Sequence, residues 1–139
     1  MKYLLAAILL LGITGCSGGS TTSPSDASVN GTWVGAINTS QGRENLTSAL
    51  LQSGSTVTGT WSAIYESTPP ANYSGGLSGT KTGAVVSVTL TPPASFASIE
   101  CSYTYNATLT TSTLMAGTFA SFACPNGVVD SGTLTLTKQ

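Results

Sequence analysis

The chain has 139 residues, with 4 Lys or Arg, 5 Asp or Glu, no His and a formal net charge of −1. It therefore lacks the basic face of a phosphate-backbone binder, the usual proton shuttle and the commonest metal ligand. Only 6% of residues are charged, while 23 Thr, 20 Ser and 16 Gly favour half-buried strands and turns over helices in a single domain.

Met1-Lys2 is followed by a nearly unbroken apolar run from Tyr3 to Ile13. That run is too short to span a hydrocarbon core, which needs about 20 residues, but it suits the h-region of a secretory signal. Ile13-Thr14-Gly15-Cys16 follows at once. This leader resembles the bacterial lipobox. The resemblance implies removal of residues 1–15, acylation of Cys16, and attachment to a membrane through the lipid. Each buried CH₂ of such a chain adds about 0.8 kcal/mol, so two or more acyl chains anchor stably. Ser17 after the Cys is similar to an outer-membrane sorting pattern, so the expected address is the cell envelope, at the outer membrane. Residues 16–29, the lipidated Cys and a Ser/Thr/Gly-rich stretch, read as a flexible tether, leaving 30–139 as the folded domain.

Eight strands are predicted, at about 31–37, 46–52, 56–64, 73–80, 84–90, 99–110, 114–123 and 131–138. The clearest is Ile99 to Leu109, where every odd position is apolar and every even one polar, the period of a half-buried strand. Three Cys are an odd number, awkward in an exported protein. With Cys16 assigned to lipid, Cys101 and Cys124 remain as a pair. A hairpin turning at Ser112-Thr113 sets these two opposite each other on adjacent antiparallel strands, close enough for a disulfide.

The connections after strands one, three, five and seven (38–45, 65–72, 91–98 and 124–131) are read as eight residues each, and those after strands two, four and six as tight turns. In an up-and-down meander the long connections share one end, the mouth, and the tight turns share the base. The expected fold is thus an all-β, eight-stranded antiparallel up-and-down barrel, which has no sheet edges. A β-sandwich is the alternative, although neither Trp lies between Cys101 and Cys124 as the immunoglobulin type requires.

Gly31-Thr32-Trp33 at the first strand resembles the opening shared by lipocalins and avidins. The stretch through Thr58-Gly59-Thr60 to Leu77-Ser78-Gly79 looks like the first half of an avidin-type barrel. The resemblance implies a small calycin-like barrel whose Trp33 plugs the base. The family's Arg over that Trp is missing, because the only Arg, Arg43, falls in a mouth connection. Lys138 is the expected substitute, through a cation–π contact with Trp33.

Both termini belong to the base, so the tether leaves there and the mouth points away from the membrane. Arg43, Glu44, Glu66, Glu100 and Asp130 fall at the mouth and Lys81 and Lys138 at the base. Tyr65, Tyr73, Phe96, Tyr103 and Phe122 are the candidate ligand-binding residues at the mouth, with Tyr103 and Phe122 expected to alternate inward. Small residues at expected inward positions (Gly59, Ala63, Gly75, Ala107, Ala120) suggest interior room for a small apolar molecule.

No catalytic residue is proposed. A nucleophile needs an adjacent His, Lys or thiolate, and the chain has no His, no spare Cys, and lysines only at the base. No cofactor, metal or nucleic acid is expected. The expected function is a non-catalytic envelope lipoprotein that binds a small apolar ligand at the open end. The alternatives are a protein-binding factor such as a hydrolase inhibitor, or a structural surface lipoprotein.

Overall fold

The computed structural model describes residues 23–40, 42–66, 71–98 and 100–139. The expected signal peptide, Cys16 and the first part of the expected tether lie outside these residues. Every stretch of period-two alternation forms a strand: β1 (Gly31–Thr39), β2 (Arg43–Ser53), β3 (Thr56–Tyr65), β4 (Ala71–Thr82), β5 (Val85–Thr91), β6 (Ser102–Leu109), β7 (Leu114–Phe122) and β8 (Ser131–Lys138). Each pairs antiparallel with its neighbours in sequence, and β8 closes on β1, giving an eight-stranded barrel. Closure satisfies both edges, which an open sheet of this length would leave exposed.

The inward positions carry the large apolar side chains. Trp33, Leu46, Leu50, Val86, Met115, Leu134 and Leu136 are at most 1% exposed, and Trp61 and Phe119 are 4% exposed. Glycines occur where the barrel wall closes most tightly. A Cβ at Gly117 would lie 2.0 Å from the Asn106 carbonyl oxygen, and one at Gly75 would lie 2.0 Å from that of Thr91. A side chain at either position would push the neighbouring strands apart.

The base is closed by the segment expected to be a flexible coil, so that expectation is corrected for residues 23–29. Ala27 and Val29 are 4% and 0% exposed and belong to the core. The Trp33 indole donates to the Val29 carbonyl at 2.8 Å, and Val29 N donates to Gln52 Oε1 at 3.1 Å. Lys81 Nζ donates to Ser25 O at 2.8 Å and to Gly83 O at 2.6 Å. Lys138 Nζ donates to Ser28 O at 3.2 Å and stands 5.9 Å from the Trp33 ring centroid, the cation–π contact expected from the sequence. Composition hid this plug because two apolar side chains in a Ser-rich run show no periodicity. A few buried contacts nonetheless suffice to order it.

The two ends differ in loop size, but the mouth connections are not eight residues each as expected: β3 ends at Tyr65 and β4 begins at Ala71, which leaves five residues between them. The base turns between β2 and β3 and between β4 and β5 are two residues long. At the mouth, residues 92–101 and 123–130 form long connections. The β1–β2 connection is only residues 40–42, where eight residues were expected. Here Thr39 N donates to Gly42 O at 2.8 Å and Gly42, at φ +142°, returns a bond to Thr39 Oγ1. A residue in that left-handed region allows the short reversal, so the strands extend to residues 39 and 43.

The β6–β7 register also differs by one residue. Ser102 pairs with Phe122 and Tyr103 with Ser121, whereas a turn at Ser112-Thr113 required Tyr103 opposite Phe122. A one-residue slip moves a strand's side chains to the other face. The inward set of β7 is therefore Met115, Gly117, Phe119 and Ser121, while Phe122 is 42% exposed and Ala120 also faces out. The Cys101–Cys124 disulfide forms all the same, with its Cα atoms 4.2 Å apart. Both cysteines lie just beyond the ladder, and Ala123, at φ +48°, takes up the extra residue and turns Cys124 back toward Cys101.

Candidate functional site

The interior is packed. Trp61, Phe119 and Tyr103 form an aromatic stack across the upper barrel. The Trp61 and Tyr103 rings meet edge to face with centroids 6.1 Å apart, and Tyr103 lies 6.3 Å from Phe119. Such geometry adds to the burial of the rings themselves. Beneath Tyr103 a void of about 10 Å³ remains, lined by Trp61, Leu90, Tyr105 and Phe119 among others. That is about one water-sized probe, so among the described residues this void does not supply the expected interior room for a ligand. Ala63 and Ala107 do face inward, 3% and 1% exposed, but the neighbouring rings fill the space their small side chains leave.

Above this stack lies an open cleft of about 270 Å³, walled by Tyr65, Tyr73, Tyr103, Glu44, Ser121 and Asp130, with Cys101, Asn126 and Val128 on one side. Three strands present the tyrosines at their mouth ends: Tyr65 closes β3, Tyr73 is the third residue of β4 and Tyr103 the second of β6. Of the five aromatic residues predicted at the mouth, these three are brought together. Phe96, in the β5–β6 connection, and Phe122, turned outward by the β7 register, are 47% and 42% exposed and do not line the cleft.

Glu44 was not predicted as a site residue. It faces inward on β2 and borders both the cleft and the void beneath it. Its period-two position, two residues before buried Leu46, was the available signal. Asp130 also lines the cleft, and its carboxylate accepts from Ser40 Oγ at 3.0 Å and Ser131 N at 2.8 Å. Across the bottom of its loop, Ser121 N donates to the Asp130 carbonyl at 2.7 Å, which ties the β7–β8 connection to the wall.

The electrostatics follow from this crowding. Burial pushes the Glu44 carboxyl above its ordinary value, and the Asp130 charge adds to the shift. Burial also raises Glu100. The Tyr103 phenol is pushed up to about 12, first by burial and then by Glu44, Glu100, Tyr73 and Asp130. Tyr73 is raised by burial, then by Glu100 and Glu44. These phenols are protonated at neutral pH. Lower in the barrel, burial raises the Tyr105 phenol, and the Ser48 hydroxyl offsets part of that rise. Among the described residues the buried Trp61 Nε1 and Glu100 Oε2 have no hydrogen-bond partner, and Ser48 Oγ and Tyr105 OH, which lie near each other, make no bond of full hydrogen-bond geometry. Among the described residues no group of three or more His, Cys, Asp or Glu is placed to hold a metal ion.

No protein-family model matches the chain, and no curated protein matches it. The barrel is similar to the solved structure of EF1p2_mFAP2b bound to DFHBI. The TM-score is 0.63 at 16% identity, over 79% of this chain and 93% of that one. At that identity the likeness is one of fold.

Proposed function

We propose that this protein is a non-catalytic binding module that takes a small molecule at the open end of its barrel. The supporting observation is the cleft of about 270 Å³ walled by Tyr65, Tyr73 and Tyr103, concave and aromatic as small-molecule sites are. Its floor is packed rather than hollow, so the ligand sits on the aromatic stack at the rim. The disulfide and the β7–β8 tie at Ser121 hold one wall in place before binding, which lowers the ordering cost of recognition. That a barrel of the same fold holds DFHBI supports the reading.

The proposal includes an envelope lipoprotein tethered through Cys16. The leader motif supports it, as does the position of residues 23–30, which meet the barrel at the base, opposite the cleft. A ligand site so tethered faces away from the lipid. Native mass spectrometry of the exported protein tests both parts. The expected result is acylation of Cys16 together with a small-molecule adduct that Tyr103→Ser loses and Phe122→Ser keeps. An unacylated chain would overturn the anchor. Absence of any adduct, together with no saturable binding of small aromatic probes, would overturn the site.

A second reading, a protein partner, is favoured by one separate observation. Phe96, Phe122, Val128 and Val129 are 42–69% exposed, on or beside the two long mouth connections, and exposed apolar side chains on ordered loops are typical partner anchors. Capture of one specific protein by the wild type, lost in Val128→Ser/Val129→Ser, would favour this reading over the first.

A further inference from the structure

Resting on the rim site just proposed, we infer that its ligand is a small organic cation, an aromatic or alkyl ammonium of fragment size.

The cleft combines the two features that select such a group. Tyrosine faces attract a cation through the ring quadrupole, most strongly where water is excluded, and three tyrosines wall this cleft. Glu44 and Asp130 line the same space, and Glu100 lies near enough to act on both Tyr73 and Tyr103. Among the described residues no lysine or arginine is paired with these carboxylates. The described lysines spend their ammonium groups at the opposite pole, Lys81 on Ser25 and Gly83 and Lys138 on Ser28. Arg43, next to Glu44 in sequence, faces outward and is exposed.

One unsatisfied atom points the same way: among the described residues Glu100 Oε2 is a buried acceptor without a donor, and a buried charge left unpaired is costly. A ligand bringing positive charge and N–H or polarised C–H donors complements this acidic surface, whereas an anion would face the Glu44 and Asp130 carboxylates that line the cleft. The raised Glu44 and Glu100 carboxyls mark the cost of holding these charges unpaired, and a bound cation would offset it.

The test uses three probes of related shape on the purified protein, by isothermal titration calorimetry and saturation-transfer NMR: phenyltrimethylammonium, its neutral isostere tert-butylbenzene, and benzenesulfonate. The cation is expected to bind at least tenfold more tightly than the neutral probe, and the anion not to bind. Glu44→Gln is expected to weaken the cation at least tenfold while leaving tert-butylbenzene unchanged, and Tyr103→Leu to weaken both. Asp130→Asn supplies a second charge variant if either of these fails to fold. Equal binding of the cation and the neutral probe, or a cation affinity indifferent to Glu44→Gln and Asp130→Asn, would overturn the inference and leave the rim site standing. No binding by any of the three would overturn both.

Discussion

Replacing Val29 with Ala tests whether residues 23–30 belong to the fold. Val29 is 0% exposed and lies in the core cluster, although the surrounding sequence is that of a linker. The substitution removes two methyl groups. At about 0.8 kcal/mol each for transfer, plus a cavity term reduced because a terminal segment can partly collapse, the expected loss is about 2–3 kcal/mol. The Trp33 indole bonds to the Val29 main-chain carbonyl, which the change leaves in place, so the loss reports side-chain burial alone. For a domain of this size 1 kcal/mol moves the midpoint by about 3–5 °C, so thermal unfolding followed by circular dichroism should show a drop of about 6–15 °C. Val128→Ala, at a position 53% exposed in a mouth connection, is the control and should stay within about 0.5 kcal/mol of wild type. If Val29→Ala unfolds at the same temperature as that control, the base plug does not contribute to stability and residues 23–29 are a tether after all.

The β7 register predicts that Phe119→Ala costs about 3–5 kcal/mol by urea denaturation and Phe122→Ala under about 1 kcal/mol; the reverse order would require the other register. Gly117→Ala, whose Cβ would meet the Asn106 carbonyl oxygen at 2.0 Å, should cost about 1–3 kcal/mol as overpacking, measured the same way. Opening the Cys101–Cys124 loop, with its sequence separation of 23 residues, by Cys→Ser at both positions should cost roughly 3 kcal/mol in the chain-entropy account. Because the Glu44 and Glu100 carboxyls are raised in the native state above 4.5, the folded form holds their protons more tightly than the unfolded form. Their contribution to stability is therefore full below about 4.5 and declines as pH rises through their native values. Glu44→Gln should flatten that decline in a pH series of denaturation midpoints and raise stability at pH 7.

Much of the barrel was legible because strand period is a local property. Alternation from Val86 to Leu90, from Tyr103 to Leu109 and from Thr133 to Thr137 requires only that one face be buried, and Gly-containing breaks mark where each run ends. The order of the strands followed from short connections. Tyr65, Tyr73 and Tyr103 were legible as mouth residues for the same reason, since their place along a strand fixes the end of the barrel they occupy.

Register is not local in this way. Leu114, Ala116 and Phe122 on one face of β7 look as buriable as Met115, Gly117 and Phe119 on the other. The choice was made by what faces them: Gly117 gives the Asn106 carbonyl room, and Phe119 packs on Tyr103. Glu44 was read as a mouth charge and not as a site residue because an acidic residue at a strand end is ordinarily solvated, and only closure of β8 onto β1 brings it near Asp130 at the rim.

Alternation, turn residues and the parity of the cysteines thus carried the architecture and the position of each residue along its strand, because each depends on neighbours within a few positions in the chain. Whether the barrel is hollow, which aromatic residues meet, and what closes its base depend on side chains brought together from strands far apart in sequence. Their volumes compete for one shared interior, and that competition was resolved only when the ring of strands closed.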